Sequence, residues 1–313
     1  MKTPLNYTGN KSRLIDRFKD YFPDNIGVFV DLFCGGATVG LSVNAKKVIF
    51  IDNNANVIEL LKHLSQYDFD VLLPRLEKLI ENYNLSYSAK SGYGKYREGI
   101  AKSDNNGLKT FNTEGYYQLR SDYNAFADKF SLEALDMLYL MVTYAFNNDM
   151  RFNRNGEFNL PVGKTDLNKS NIKKLISYID RVKETDCEFI CGDFREKRIK
   201  DILMQADFIY ADPPYLLGDA VYNESSNWTE ETEQELIELL EVLSKNDKKF
   251  ALSNVLEKVG QKNKPLSDWI FKRDDLQIFN MDYHYRSASY NKINRNAQEQ
   301  EVLITNFYES ANK

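Results

Sequence analysis

Residues 28–40 read Val-Phe-Val-Asp-Leu-Phe-Cys-Gly-Gly-Ala-Thr-Val-Gly and decide the fold class of the chain. The residues before the glycine pair 35–36 are apolar and partly β-branched, as in a buried strand. After the pair, the spacing of Val39, Leu41 and Val43 predicts a helix. A strand, a tight glycine loop and a helix form the first unit of a doubly wound α/β sheet that binds nucleotides. The loop departs from the Gly-x-Gly-x-x-Gly fingerprint, so its ligand stays open and a dehydrogenase fits poorly.

Three later apolar runs each lead into an acidic residue, namely Asp52, Asp193 and Asp212. Because ligands of open α/β sheets bind outside the carboxyl ends of the strands, these acids are predicted to line one binding edge. Asp52 follows the first strand at about the twenty-residue distance at which such folds place an acid that holds ribose hydroxyls. A carboxylate accepts two hydroxyl hydrogen bonds well.

The third of these acids opens the motif Asp212-Pro213-Pro214-Tyr215. Proline cannot continue the hydrogen-bonded ladder, so the strand over residues 208–211 is predicted to stop abruptly. Asp212 and the carbonyl of Pro213 then provide two acceptors, with the flat face of Tyr215 beside them. This combination suits an exocyclic amine on a planar base. An ordinary strand exit followed by a turn is the alternative interpretation.

Residues 71–160 do not continue the alternation of strands and helices. Helices are predicted over residues 116–126 and 132–146, whereas the Gly-, Ser-, Asn- and Lys-rich tract 86–113 is predicted to be a mobile loop. The polar and aromatic stretch 151–163 contains Arg-Asn-Gly at 154–156, which predicts a hairpin turn. Arginine and asparagine pair with guanine and adenine edges, so this hairpin suits base reading. A solvated polar hairpin is the alternative.

Composition excludes several classes of protein. The chain has 313 residues, 42% hydrophobic and 28% charged, and contains no apolar run of about 18 residues and no signal peptide, so a cytoplasmic protein is expected. The net charge of −5 does not itself indicate nucleic acid binding, although local basic groups occur near both ends of the chain.

Cysteine and histidine usage argues against a disulfide framework and against a metal site. The three cysteines are an odd number in a large chain, and Cys187 and Cys191 flank a strand-like pair. With only His63 and His284 besides, a zinc site is short of ligands. The same scarcity disfavours acid-base chemistry by histidine.

Five motifs in chain order resemble those of N6-adenine DNA methyltransferases of the D12, Dam-like group, with the α-class order. They are Tyr-Thr-Gly-Asn-Lys at 7–11, Asp-Leu-Phe-Cys-Gly-Gly at 31–36, Asp52, Gly-Asp-Phe at 192–194 and Asp-Pro-Pro-Tyr at 212–215. The segment 151–163 is similar to the target-recognition hairpin of this group. The resemblance covers essentially the whole chain.

The resemblance implies a Rossmann-like α/β sheet of the S-adenosylmethionine-dependent methyltransferases. It implies a catalytic domain over residues 1–66 and 187–313, and an inserted, mainly helical target-recognition domain over 67–186 that bears the β-hairpin. The implied reaction transfers a methyl group from S-adenosylmethionine to N6 of a flipped adenine in duplex DNA. The implied context is a restriction-modification system, whose endonuclease is a functional but not a physical partner, with no metal and no membrane.

The resemblance also implies three sets of site residues. The catalytic set is Asp212, Pro213, Pro214 and Tyr215. The cofactor-binding set is Tyr7, Lys11, Asp31, Phe33, Cys34, Gly35, Gly36, Asp52, Asn53, Asp193, Phe194 and Asp212. The DNA-binding set is Asn147, Arg151, Asn153, Arg154, Lys164, Arg286 and Lys292. Among them Asp52 is implied to hold the ribose, Asp193 and Phe194 the cofactor adenine, and Arg151 a guanine.

The chain has Asn10 where many members of the group carry a second glycine, and it departs from the GATC-methylating members at Asn148-Asp149 and at Lys164-Thr165. A short site other than GATC that contains an adenine is therefore favoured. The alternatives are an RNA or protein methyltransferase of the same cofactor fold, a solitary regulatory DNA methyltransferase, and a catalytically inactive DNA-binding relative. The first usually has Asn in place of Asp212 and lacks the hairpin, and the intact motif 212–215 speaks against the last.

Overall fold

The computed structural model describes residues 3–5, 11, 14–98, 104–217, 228–281 and 299–308. They divide into two compact units. The sheet unit takes the described residues among 13–34, 42–53 and 192–313, and the helical unit takes those among 1–12, 35–41 and 54–191.

The sheet unit is mixed α/β with a mostly parallel sheet. The strands of the chain are β1 (Ile26–Leu32), β2 (Ala45–Asp52), β3 (Asp186–Cys191), β4 (Phe208–Ala211), β5 (Lys249–Lys258), β6 (Gln261–Lys262), β7 (Gln277–Asn280) and β8 (Glu299–Thr305). Within the sheet unit the order is β2-β1-β4-β5-β8-β7, with β6 paired to β5. Strands β2, β1, β4 and β5 are parallel, whereas β8 is antiparallel to both β5 and β7.

The helices of the chain are distributed over both units. The sheet unit has α1 (Ile15–Phe18), α8 (Lys197–Leu203), α9 (Glu230–Lys245) and α10 (Lys264–Phe271), and the helical unit has α2 (Ala55–Ser65), α3 (Phe69–Asn82), α4 (Ser88–Ser91), α5 (Lys109–Ala125), α6 (Leu132–Tyr144) and α7 (Lys169–Glu184). Strand β3 also belongs to the helical unit. No helix among the described residues has the length and apolar character needed to cross a membrane.

The core of the sheet unit is aromatic. Phe29 on β1 and Phe208 on β4 are fully buried, and their rings lie 5.5 Å apart between centroids. Phe22 packs edge-on against Phe208 at 4.9 Å. Burial of such large side chains stabilises the parallel strands whose carboxyl ends form the candidate site.

Helix α6 is the core of the helical unit. Ser131 caps its amino end by accepting a hydrogen bond from the main-chain N–H of Ala134. Every side chain from Ala134 to Tyr144 is buried, and the helix packs against α2, α3 and α5. A helix that is apolar all round must lie inside a bundle, so α6 sets the positions of its neighbours.

The predicted helix after the glycine pair is wrong. Residues 35–39 form successive turns, and only Gly40–Ser42 is helical, as one turn of 3-10 helix. The apolar positions Val39, Leu41 and Val43 recur every two residues rather than every three or four, so they specify no helix face, although all three are buried.

The tract 86–113 is more ordered than predicted where it is described. It contains α4, a 3-10 turn over Gly94–Arg97 and the start of α5. The buried carboxylate of Asp166 accepts hydrogen bonds from the Ser86 hydroxyl at 3.0 Å and from the Ser88 hydroxyl and N–H at 2.6 Å each. These bonds attach the start of the tract to the segment that follows the hairpin. The helices α7, α8 and α10 had not been predicted.

Candidate active site

The carboxyl ends of the parallel strands of the sheet unit meet at one edge of the sheet. Leu32, the last residue of β1, pairs with Ala211 of β4, and Ala211 pairs with Leu252 of β5. The N–H of Asp212 donates to the carbonyl of Leu32 at 3.4 Å, so the ladder continues up to the first proline. This register brings Asp212 beside Phe33 and level with Ser253, which is the arrangement that a ligand edge requires.

The hydroxyl of Tyr215 contacts both Asp212 and Glu301 of strand β8. Its Oη lies 3.1 Å from Asp212 Oδ1, 3.3 Å from Ser253 Oγ and 3.0 Å from Glu301 Oε1. Burial, followed by the charges of Asp212 and Glu301, raises the pKa of Tyr215 well above its ordinary value. The phenol therefore stays protonated at neutral pH. The contacts of its hydroxyl group with Asp212, Ser253 and Glu301 fix the position of the ring.

Residue Phe33 is strained and belongs to an aromatic cluster. Its φ of 68° is in the left-handed region, which is unfavourable for a residue with a Cβ. Its ring lies 5.6 Å from that of Phe194 and 5.7 Å, edge-on, from that of Trp228. Phe194 and Trp228 are themselves 5.9 Å apart. Strain of this kind persists only where the surrounding structure fixes the backbone, and here the packed rings of Phe194 and Trp228 surround the residue.

Three acidic or sulfur-bearing predicted residues lie together where β1 and β2 end. Asp31 and Asp52 are both buried, and the N–H of Cys34 donates to the Ile51 carbonyl at 2.9 Å. Burial, and then the charges of Asp52 and Asp31, raise the pKa of the Cys34 thiol well above its ordinary value. This raised pKa keeps the Cys34 thiol in its neutral form, which is a poor nucleophile.

The predicted adenine-binding acid Asp193 is held by its neighbour Arg195. The guanidinium donates from Nε to Oδ1 at 2.7 Å and from Nη2 to Oδ2 at 2.8 Å. This bidentate bond lowers the pKa of Asp193. The main-chain N–H of Gly192 donates to the Asp52 carbonyl at 2.9 Å, so Asp193 follows directly after a contact with the end of β2.

Sequence reasoning missed a buried polar network beside the aromatic cluster. Glu233, at the start of α9, accepts from Trp228 Nε1 at 2.7 Å, from Asn254 Nδ2 at 2.9 Å and from Asn263 Nδ2 at 2.8 Å. Burial raises the pKa of Glu233 despite these three donors. Hydrophobic periodicity could not predict this network, because its residues come from an extended segment, a helix, a strand and a helix cap. Sequence reasoning also missed Ser253 and Glu301. The available signals were that Ser253 is a polar residue directly after an apolar run and that Glu301 is an acid directly before one.

The remaining predicted cofactor residues are distributed differently. Asn53 is exposed at the end of β2. Lys11, Gly35 and Gly36 lie in the helical unit, and Lys11 is buried there. Tyr7, Arg286 and Lys292 lie outside the described residues. Within the described part of the chain, no group of three or more His, Cys, Asp or Glu residues is arranged to hold a metal ion.

The predicted hairpin is present in the helical unit as two antiparallel bridges, Phe152 with Phe158 and Ala145 with Val162. Its turn is closed by Asn153, whose Oδ1 accepts from the N–H groups of Asn155 at 2.9 Å and Glu157 at 3.0 Å. Asn153 is thus a turn-forming residue, as expected of an Asx turn.

The second arm of the hairpin is fastened to α5. Asn124 exchanges two hydrogen bonds with the main chain of Phe158, at 2.9 and 3.0 Å. The Leu160 carbonyl accepts from Tyr116 Oη at 3.1 Å and from Arg120 Nη1 at 3.0 Å. At its base, Gly163 lies so close to the Ala145 carbonyl that an added Cβ would be 2.3 Å from the oxygen. These contacts fasten the second arm of the hairpin to α5 and close its base tightly.

Several of the side chains predicted to contact DNA lie on or next to this hairpin. Arg151, Arg154 and Lys164 are exposed, and Arg151 Nε donates to Asn159 Oδ1 at 2.8 Å. Arg151 Nη2 also donates to the Asn159 carbonyl at 3.5 Å, so both bonds hold the guanidinium across the strands. Asn147, beside the exposed Phe146, has a φ of 58°, a conformation that asparagine tolerates.

Comparison with known proteins gives the family of the chain. A family model, described as D12 class N6 adenine-specific DNA methyltransferase, matches residues 7–291. The chain is similar to the type II methyltransferase M.FokI of Planomicrobium okeanokoites, at 34% identity over 98% of this chain and 43% of that protein. It is similar to the modification methylase StsI of Streptococcus sanguinis, at 32% identity over the same shares. It is also 25% identical to the DNA adenine methylase of Escherichia coli (strain K12), over 80% of this chain and 79% of that protein.

The chain spans less than half the length of the first two relatives. The family model nevertheless matches most of the chain, from the glycine loop through the motif 212–215 and beyond. The chain therefore belongs to the D12 class of N6 adenine-specific DNA methyltransferases.

Proposed function

We propose that this chain is a site-specific DNA methyltransferase that transfers a methyl group from S-adenosylmethionine to N6 of adenine. The observation that carries the proposal is the acceptor Asp212 at the sheet edge, held by Tyr215 and adjoining the aromatic cluster of Phe33, Phe194 and Trp228. Together these groups suit a planar base that presents an amino group.

The donor set of the sheet unit fits S-adenosylmethionine. When bound, this cofactor supplies an electrophilic methyl group on a sulfonium. Asp52 would accept the ribose hydroxyls, Phe194 and Phe33 would contact the adenine, and Asp31 would provide negative charge near the cationic part. Asp193, already held by Arg195, would accept from the adenine amino group.

The exocyclic nitrogen of adenine is a poor nucleophile because its lone pair is delocalised into the ring. Asp212 and the Pro213 carbonyl accept hydrogen bonds from the two N6–H groups. These bonds favour a more tetrahedral geometry at the nitrogen. The site holds that nitrogen in line with the methyl group. This proximity accounts for a large share of the lowering of the activation barrier, because the translational and rotational entropy has been lost before the reaction. The base reaches the edge by flipping, and its contact with Tyr215 offsets part of the unstacking cost of a few kcal/mol.

Duplex recognition is assigned to the inserted region, residues 67–186, with the hairpin as the reading element. The hairpin is hydrogen-bonded to α5, and Arg151, Asn147 and Arg154 are exposed on or next to it. An arginine fork matches the O6 and N7 acceptors of guanine. Lys164, Arg286 and Lys292 are proposed to contact phosphates, which supply most of the sequence-independent affinity.

The relatives support a restriction-modification setting. M.FokI is named a type II methyltransferase and StsI a modification methylase. We infer that methylation by this chain protects host DNA against an endonuclease that reads the same site, without a physical complex between the two enzymes.

The proposal is tested by expressing the chain in a bacterium that lacks DNA methylation and sequencing its DNA by a method that detects modified bases. N6-methyladenine confined to one short motif is the expected result. The Asp212→Ala variant, expressed to the same level, serves as the blank. Unmodified DNA from cells with folded wild-type protein that binds S-adenosylmethionine would contradict DNA adenine as the substrate.

Arg151→Ala is expected to relax sequence choice at one base pair by about 1–3 kcal/mol, because the bidentate contact to guanine is lost. The measurement is the methylation rate on the cognate duplex and on duplexes with each base pair replaced in turn. Arg154→Ala is the matched control, because it removes the same charge from the same hairpin. It is expected to weaken binding to all sequences and to reduce the salt slope by about one. Unchanged site preference in Arg151→Ala would rule out the reading role.

A further inference from the structure

Glu233 is a buried acid that the proposed reaction does not use. It lies in the first turn of α9 and is only 1% exposed. Its Oε2 accepts from Trp228 Nε1 at 2.7 Å, and its Oε1 accepts from Asn254 Nδ2 at 2.9 Å and Asn263 Nδ2 at 2.8 Å. All three partners are donors, so neither carboxyl oxygen needs a hydrogen of its own for these contacts.

The two asparagines are themselves fixed by the main chain. Asn254 Oδ1 accepts from the next main-chain N–H at 2.7 Å, and Asn263 Oδ1 accepts from a main-chain N–H in the first turn of α10 at 3.2 Å. These contacts assign the amide oxygens, so each Nδ2 group faces Glu233 as a donor. Strand β5 and the cap of α10 therefore hold one oxygen of Glu233, and the other oxygen binds Trp228.

The indole of Trp228 packs against the two aromatic residues that are proposed to contact the cofactor adenine. Its ring lies 5.7 Å, edge-on, from that of Phe33 and 5.9 Å from that of Phe194. Trp228 and Phe194 are buried, whereas Phe33 is half-buried, so a ligand can reach the cluster at Phe33. All three rings and Glu233 belong to the sheet unit.

The bond to Glu233 determines where the indole lies. A buried Trp N–H needs an acceptor, because leaving it without one costs the full desolvation of the group. The fixed carboxylate provides that acceptor at one place only among the recorded contacts of Trp228. The indole in turn supports Phe33, whose left-handed φ of 68° persists only while its surroundings hold it.

We propose that Glu233 is a positioning residue for the cofactor, acting through Trp228 on the rings of Phe33 and Phe194. The carboxylate fixes the indole, and the indole holds both rings in the orientation that receives the S-adenosylmethionine adenine before the cofactor arrives. Such preorganisation raises affinity, because the side chains lose little freedom on binding. The inference rests on the proposed methyl transfer from S-adenosylmethionine.

Hydrogen exchange of the indole N–H groups, followed by NMR on the full chain, tests the bond directly. The two tryptophans are Trp228 and Trp269, and Trp269 Nε1 donates to a different acid, Glu241, at 2.6 Å. Glu233→Ala is expected to speed exchange at Trp228 by about tenfold or more and to leave exchange at Trp269 unchanged. Equal exchange at Trp228 in Glu233→Ala and wild type, or an equal increase at both tryptophans, would overturn the proposal.

A double-mutant cycle in S-adenosylmethionine affinity, measured by calorimetry without DNA, tests the path. Glu233→Ala and Trp228→Phe are each expected to weaken binding by about tenfold, because each removes one partner of the same hydrogen bond. The double variant is expected to bind no more than about threefold more weakly than the weaker single variant. A loss near the product, about 100-fold, would show independent action and overturn the proposal.

Trp228→Phe also tests the bond by itself if Glu233→Ala does not fold, because it keeps an aromatic ring and removes only the N–H donor. Folded Trp228→Phe that binds S-adenosylmethionine within about threefold of wild type would overturn the proposal. The readout requires no methyl transfer, so it separates assembly of the cofactor pocket from the chemical step.

Asn263→Ser is the matched control for a merely structural role. Serine can still cap α10 but cannot donate to Glu233 as the amide does. This variant is expected to have a lower melting temperature, with S-adenosylmethionine affinity within about threefold of wild type. An affinity loss as large as that of Glu233→Ala would assign the effect to the whole network and overturn the path through Trp228.

Two outcomes separate this inference from the proposed function. Wild-type protein that does not bind S-adenosylmethionine would remove both together. Wild-type protein that methylates adenine, with a folded Glu233→Ala variant that binds the cofactor as tightly, would remove only the role of Glu233.

Discussion

Asp212→Ala is expected to lower the rate of methyl transfer by about 10³-fold while S-adenosylmethionine affinity stays within about threefold of wild type. The carboxylate is the acceptor that directs an N6 hydrogen, and the alanine methyl group cannot accept one. The Tyr215 hydroxyl, which lies 3.1 Å from Asp212 Oδ1, loses the partner that connects it to the reacting nitrogen. Removing one preorganised polar group from an active site typically costs a rate factor of this size.

The measurement is single-turnover transfer of labelled methyl groups to cognate duplex, with cofactor affinity from calorimetry. Asp212→Asn retains a carbonyl acceptor without the charge and is expected to fall between wild type and Asp212→Ala. Asp201→Ala is the control, since Asp201 is an exposed acid of the same unit that pairs with Lys197 on the surface. Wild-type turnover in Asp212→Ala would remove Asp212 from the catalytic set.

The residues that the sequence predicted for the sheet edge share one physical origin. Asp52 and Asp212 each follow an apolar run, and the point where such a run meets a polar residue or a proline marks a strand end locally. Parallel pairing then brings separate strand ends to one edge without further information. The strands β1, β2 and β4 are predictable for this reason.

The partners of these residues could not be predicted in the same way. Glu301 reaches Tyr215 because β8 returns antiparallel beside β5, and Glu233 binds Asn254 and Asn263 across three separate elements. Such contacts depend on register between distant segments, which local periodicity does not contain. The helix predicted from Val39, Leu41 and Val43 is wrong for another reason, since apolar residues at every second position do not have the 3.6-residue period of a helix.

The helical unit contains a cluster of buried charged groups that also could not be predicted from the sequence. Asp136 on α6, only 2% exposed, accepts from Arg75 Nη2 at 2.6 Å and Nε at 2.7 Å, and it lies 2.8 Å from His63 Nε2. The Arg75 guanidinium also lies over the Tyr67 ring at 4.4 Å. One carboxylate thus connects α2, α3 and α6, so its removal leaves a positive charge and a buried imidazole without their acceptor.

Asp136→Ala is expected to lower the free energy of unfolding by about 3–5 kcal/mol, because breaking a buried ion pair from one side strands the remaining charge. The measurement is denaturant unfolding of the full chain, combined with hydrogen exchange of the α6 amides. Glu133→Ala is the matched control, since Glu133 is exposed on the first turn of the same helix and its loss should change stability by less than about 0.5 kcal/mol. A change below about 1 kcal/mol in Asp136→Ala would mean that the cluster is not structural.

Asp136→Ala also tests whether this cluster supports DNA recognition by the hairpin. Helix α6 ends at Tyr144, whose carbonyl accepts from the N–H of Gly163 at 2.7 Å, and Phe146 donates to the Pro161 carbonyl at 2.8 Å. The base of the hairpin is therefore built on the end of α6, and loosening that helix should raise hydrogen exchange across residues 145–163 before the chain unfolds globally. Because the hairpin is proposed to read DNA, Asp136→Ala should weaken binding to cognate duplex more than binding to S-adenosylmethionine. Equal losses of both affinities would indicate that the cluster supports the whole chain rather than the recognition hairpin.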